Sequence, residues 1–105
     1  MSQITRSPLA RIDLIEQYQW YAQQGDIELG ERFLDAAELT FLDLLESPLK
    51  GAEYLSEEKQ LQGIRKWQVQ SPFGVILIFY RTDEKSINII RVLNGYRDLL
   101  PLLDE

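Results

Sequence analysis

Two residue types are missing altogether from this chain: it contains no cysteine and no histidine. Without cysteine there is no disulfide framework, thiolate nucleophile or zinc-thiolate site. Without histidine the commonest general base and metal ligand is gone, along with every Ser-His, Cys-His and His-metal arrangement. Any catalysis would have to rest on carboxylates, Lys, Tyr or Arg. Long apolar runs are missing as well: the longest, Val75 to Tyr80, falls far short of the roughly 20 residues that span a bilayer. The N-terminus has no basic stretch leading into an apolar one. A soluble, cytoplasmic protein without membrane contact is expected. With only 4 Pro and 6 Gly in 105 residues, and 45% hydrophobic residues, the composition is that of one ordinary globular domain covering residues 1–105.

Basic charge is scarce too, and its placement is informative. The net charge is −6, which argues against direct nucleic-acid binding, because phosphate neutralisation supplies most of that affinity. Residues 1–60 carry 5 Lys and Arg against 12 Asp and Glu, whereas residues 61–98 hold six basic side chains against three acidic ones. The basic character is confined to the C-terminal half.

The order of elements can be read from punctuation and period. Gln3 to Arg6 suits a short strand that stops at Ser7-Pro8, a helix-start signal. A first helix is expected from about Pro8 to Gln24, with Leu9, Ile12, Ile15, Tyr18 or Gln19, and Ala22 on its apolar stripe, Trp20 and Tyr21 broadening it, and one of those two near the surface. Gln24-Gly25-Asp26 reads as a turn, with Gly25 able to take the left-handed conformation after the helix and Asp26 able to cap a second helix from about Ile27 to Glu46. Phe33, Leu34, Ala37, Phe41, Leu44 and Leu45 mark the buried side of that helix. An irregular connector from Leu49 to Gln60 follows, then strands over Leu61 to Val69, Val75 to Tyr80 and Ser86 to Leu93. The turns between them fall at Ser71-Pro72-Phe73-Gly74 and Thr82-Asp83-Glu84-Lys85.

This order implies an α+β fold: a short N-terminal strand and an antiparallel helix hairpin packed on one face of a C-terminal antiparallel sheet. The middle strand is apolar on both sides, so a second sheet face is expected to stay open for a partner or to be covered by the tail from Leu99 to Leu103.

Five segments, in this order, resemble the ParE branch of the RelE/ParE toxin superfamily. They are Arg6-Ser7-Pro8-Leu9-Ala10, Arg32-Phe33-Leu34-Asp35-Ala36, Leu61-Gln62-Gly63-Ile64-Arg65-Lys66-Trp67, Leu77-Ile78-Phe79-Tyr80-Arg81 and Arg91-Val92-Leu93-Asn94-Gly95-Tyr96-Arg97-Asp98. The strand ending in Phe-Tyr-Arg, followed by Arg-Val-Leu-x-Gly-x-Arg-Asp, is the most specific part. The resemblance implies the toxin component of a type II toxin–antitoxin system, with plasmid stabilisation as an associated role. It also implies neutralisation by a cognate antitoxin and, for ParE-like members, inhibition of DNA gyrase. RelE-like members instead cut mRNA on the ribosome, and a non-toxic member that keeps only antitoxin binding is a third reading.

Asn94 stands where family members often carry His, and the apolar and acidic tail lacks the basic and aromatic groups of the ribonucleases. A binding role is therefore expected over catalysis, with no catalytic residues, metal ligands or cofactor. The candidate partner-binding residues are Arg65, Trp67, Tyr80, Arg81, Arg91, Asn94 and Arg97. For each arginine the alternative is an intramolecular contact: Arg97 with Asp98 or helix acids, Arg91 with a carboxylate of the second helix, and Arg65 as an exposed strand residue.

Overall fold

A computed structural model describes residues 3–54, 62–83 and 85–97. Strand β1 (Gln3–Arg6) leads into helix α1 (Pro8–Gln24) and helix α2 (Ile27–Glu46). Strands β2 (Ala52–Glu53), β3 (Arg65–Gln68), β4 (Ile76–Thr82) and β5 (Ser86–Asn94) follow. The Ser7 hydroxyl accepts from Ala10 N at 3.0 Å, and Pro8 opens the helix without wasting a donor. Asp26 caps α2 in the same manner, accepting from Leu29 N at 2.8 Å. Both helices keep the bounds that the sequence implies.

The five strands form one sheet in the order β1-β5-β4-β3-β2. Strands β2 to β5 pair antiparallel, while β1 joins β5 in parallel, so the sheet is mixed rather than purely antiparallel. Three antiparallel steps separate β2 from β5, so the helix hairpin returns the chain with β2 running opposite to β1, and β5 then runs with β1. A short strand inside the expected connector, β2, pairs with β3 through Ala52↔Lys66 and Glu53↔Arg65. The starting residue Leu61 of the expected third strand lies outside the described residues, as do the Glu57-Glu58-Lys59 run, Glu84 of the turn, Asp98 and the Leu99 to Leu103 tail.

The core lies between the hairpin and one sheet face. Phe33, Phe41 and Leu44 of α2 meet Ile76, Ile78, Tyr80, Ile87, Ile89 and Val92 of the sheet, all with no exposed surface. Tyr21, Phe33 and Phe73 add an aromatic triad with ring centroids 5.0 to 5.6 Å apart. The two helices cross closely at Gly30, where a Cβ would sit 2.7 Å from the Tyr18 ring.

Three expectations are corrected here. The apolar side of α1 is not its buried side: Leu9, Ile12 and Ile15 are 53%, 50% and 57% exposed, and the helix buries Ala10, Asp13, Leu14 and Gln17 instead. The reason lies in β5. Pairing with β1 ends at Ile89, so the backbone beyond it needs other partners. The α1 side supplies them: Ser7 Oγ donates to Ile90 O at 2.7 Å, Asp13 Oδ2 accepts from Val92 N at 2.9 Å, and Gln17 Nε2 donates to Val92 O at 3.4 Å.

Of the two expectations for the second sheet face, the open one is overturned, and the covering tail from Leu99 to Leu103 lies outside the described residues. Ile64, Phe79 and Leu93 are only 4% to 6% exposed and pack with Tyr54, Leu77 and Ile90. Gly25 is not left-handed, with φ at −122°; what it offers is room, since a Cβ there would lie 2.7 Å from Leu29 Cδ2.

Candidate functional site

The seven candidate residues fall into three places rather than one surface. Arg65, Trp67 and Tyr80 sit at the β3–β4 end and hold the segment that leaves α2. The Tyr80 hydroxyl donates to Pro48 O at 2.7 Å and accepts from Gly51 N at 3.0 Å, with the ring wholly buried. Burial pushes this phenol above its usual pKa, opposed by the Gly51 hydrogen bond and by the Arg65 and Lys50 charges. A Cβ on Gly51 would fall 2.4 Å from the Tyr80 oxygen, so the segment passes there only as glycine.

Arg65 donates to Gly51 O at 2.7 Å and faces Glu53 at 3.6 Å, so it anchors this segment instead of standing exposed. Lys50 stacks over Trp67 at 4.6 Å and pairs with Asp43. Tyr80 is thus a core residue with a satisfied hydroxyl, and Trp67 packs partly buried against the main core.

Arg81 belongs to β4, one residue beyond Tyr80. It lies opposite Asn88 on β4 and β5, on the sheet face that carries Leu77 and Phe79.

Arg91, Asn94 and Arg97 gather against α1. Arg91 makes a two-point contact with Asp13, Nε to Oδ2 at 2.8 Å and Nη2 to Oδ1 at 3.1 Å, so its partner is on the first helix and not the second. Asp13 therefore ties both the backbone and a side chain of β5 to α1. Asn94 is 8% exposed, and its Oδ1 accepts from Tyr96 N at 2.9 Å and Arg97 N at 2.8 Å. This local turn holds the chain after β5 in one course and carries Arg97 back toward α1. A short polar side chain is what the turn uses.

Arg97 is the most developed element of the group. Its guanidinium lies over the Trp20 indole at 4.3 Å, and Nη2 donates to Gln17 Oε1 at 2.8 Å. Gln17 is itself 1% exposed and bonded to Val92 O, so the arginine rests on a fixed support. The Arg97 charge also pulls down the Tyr21 phenol pKa, which burial on balance raises. Glu16, Gln19, Trp20, Gln23 and Arg97 line an open groove of about 270 Å³. Asp13 and Gln17 are not legible as site residues from the sequence, and Trp20 is legible there only as a surface aromatic. Asp13 and Gln17, at i and i+4 on the helix side that also carries Ala10 and Leu14, are the available signal, hidden by the stronger aliphatic stripe.

These contacts place a fixed, largely exposed guanidinium beside aromatic and amide groups, which suits recognition of carboxylates and carbonyls. Among the described residues no group of three or more acidic side chains could hold a metal ion, and no helix is long and apolar enough to cross a membrane.

The family model of the ParE toxin of type II toxin–antitoxin systems, parDE, matches residues 4–99. The chain belongs to the ParE toxin family. The match spans both helices and every strand from Ile4 onward, including the Arg97 turn. A solved structure described as the chromosomal ParDE TA system from P. aeruginosa shares the fold, with a TM-score of 0.70 and 20% identity over 90% of this chain and 96% of that chain. A search for curated relatives found no significant match. Membership establishes this chain as a type II toxin by family, and the fold is the one that the sequence pattern implies.

Proposed function

We propose that this ParE-family chain acts by binding a protein target, DNA gyrase, and that a cognate antitoxin neutralises it. The observation that carries this reading is Arg97, seated on Trp20 and Gln17 beside an open groove. A guanidinium held on two sides loses little freedom on meeting a carboxylate, so it serves recognition. Two candidate proton-transfer groups are committed to the fold: Asp13 is taken up by Arg91 and Val92, and the Tyr80 phenol, at the separate β3–β4 end, is sealed in the core with its pKa raised. Asn94 cannot exchange a proton near neutral pH. Protein binding fits this arrangement better than cleavage of RNA.

Supercoiling by purified gyrase is the test of the target. The wild-type chain is expected to inhibit at micromolar concentration, on the scale of transient recognition, with Arg97→Ala about tenfold weaker and unchanged in circular dichroism. No inhibition by wild type removes gyrase as the target. Codon-linked cuts on translated mRNA in primer extension would replace binding with catalysis. Co-expression with the protein encoded beside it should yield a stable complex and restore growth.

A further inference from the structure

The groove beside Arg97 has a wall that the fold does not use. Glu16, Gln19, Trp20 and Gln23 stand along one stripe of α1 at i, i+3, i+4 and i+7, and with Arg97 they line about 270 Å³ of open space. Two polar side chains on the other side of this helix are taken up internally: Asp13 by Arg91 and Val92, and Gln17 by Val92 O and Arg97. Glu16, Gln19 and Gln23 are exposed, and among the described residues no hydrogen bond or ion pair engages their side chains. The groove thus offers one cation, one anion and two carboxamides around an indole.

Each of these groups restricts what can fill it. Arg97 attracts an anionic polymer, but Glu16 in the same groove repels it, so a ligand with one carboxylate and one ammonium suits the pair better. Carboxamides both donate and accept, as main-chain amides do, so Gln19 and Gln23 are matched to exposed peptide backbone. A helical partner has its amides committed to itself, whereas an extended one presents them along its length. The spacing agrees. Glu16 and Trp20, on which Arg97 rests, are one helical turn apart, about 6 Å along the axis. In an extended chain residues i and i+2 share a face and lie about 7 Å apart.

We infer that this groove holds an extended segment of a protein partner in which an acidic and a basic residue stand two apart. The acid meets Arg97, the base meets Glu16, and Gln19 and Gln23 hydrogen-bond to the main chain between and beyond them. The inference rests on Arg97 being a recognition residue, as proposed above, and not on gyrase being its target.

The experiment uses the full chain labelled with 15N, and capped peptides of about eight residues, which span the groove at ~3.3 Å per residue. Gly, Ser and Pro surround a test triplet and keep the peptide out of helix. Asp-Ser-Lys and the reverse order, Lys-Ser-Asp, are the candidate ligands. Asn-Ser-Lys removes the carboxylate, and Asp-Lys-Ser puts the two charges on opposite faces. At least one order of the first pair is expected to bind with a Kd of about 1 mM, the scale of a few polar contacts. Binding should move the Trp20 indole N–H and the side-chain amide peaks of Gln19 and Gln23. Asn-Ser-Lys and Asp-Lys-Ser should bind about tenfold more weakly. Glu16→Lys is the deciding variant: it should weaken the best ligand severalfold and shift preference to Asp-Ser-Asp. Gln19→Ala combined with Gln23→Ala, which leaves charge unchanged, should also weaken binding severalfold.

Equal binding of Asn-Ser-Lys or Asp-Lys-Ser, unchanged preference in Glu16→Lys, tighter binding of oligouridylate, or a still Trp20 indole peak with both orders would overturn the inference. Supercoiling keeps the two readings apart. If Arg97→Ala loses inhibition while no peptide moves these peaks, Arg97 stays a recognition residue and the extended occupant is removed. If the peptides bind as expected and gyrase is not inhibited, the occupant stands and gyrase is removed.

Discussion

Tyr80 shows how a residue that looks like a recognition element becomes structural. Its hydroxyl both donates and accepts within the Pro48 to Gly51 turn, at zero exposure. Tyr80→Phe strands the Gly51 amide and the Pro48 carbonyl, and should cost about 1–3 kcal/mol in urea unfolding. Because burial raises the folded phenol pKa above its unfolded value, this contribution is complete below pH ~10 and is lost as pH rises through the folded value. Alkaline unfolding should therefore begin at lower pH in wild type than the loss of secondary structure in Tyr80→Phe, relative to each protein's neutral-pH stability. Asp13 is held in the same way by two partners. Its carboxylate is 5% exposed and serves Arg91 and Val92 together, so Asp13→Ala, which leaves the Val92 amide unsatisfied, should destabilise by about 1–3 kcal/mol in urea unfolding.

At the level of elements, the helix ends and turns are governed by short polar side chains. The Asp26 cap on α2 should be worth about 1 kcal/mol, read as the loss in Asp26→Ala by thermal unfolding. Between β4 and β5, Asp83 accepts from Lys85 N at 2.9 Å and Ser86 N at 3.0 Å, and these bonds hold its pKa below the ordinary carboxylate value. The folded pKa is the lower one, so the turn's support is present above pH ~4 and disappears as pH falls through the folded value. Asp83→Asn should destabilise the protein at pH 7 and lose that effect at the acid end, a difference that paired denaturation curves will show. Helix α1 is the element with two characters. One side finishes the ladder of β5 with Ser7, Asp13 and Gln17, and the other leaves Leu9, Ile12 and Ile15 in water.

Across the whole molecule, charge and contact are divided between two regions. The hairpin is acidic and half apolar on its outside, whereas the end of β5 presents Arg97 on an aromatic support. Arg97→Ala should leave the melting temperature within a few degrees of wild type, since the lost contacts are near the surface. It should reduce inhibition of the target, and raised salt should narrow the gap between the two proteins if the guanidinium acts through charge.

Much of this was legible from local chemistry. Ser7-Pro8 and Asp26 start helices whatever lies around them, because each satisfies amides within three residues of itself. The unbroken apolar run from Ile76 to Tyr80 marks a strand covered on both sides, and both faces are buried around Ile78 and Phe79. The family pattern, carried by short segments in fixed order, could also be read without coordinates. Which side of α1 is buried could not. Periodicity favours the aliphatic stripe, but β5 runs on past the end of β1, and its unpaired backbone groups take Asp13 and Gln17 instead. That demand arises only when strands distant in sequence are paired, as does the pairing of Arg91 with Asp13 of the first helix. Sequence alone thus determined the elements and the family, while the tertiary structure decided which faces work inward, because burying a backbone polar group costs more than leaving an isoleucine in water.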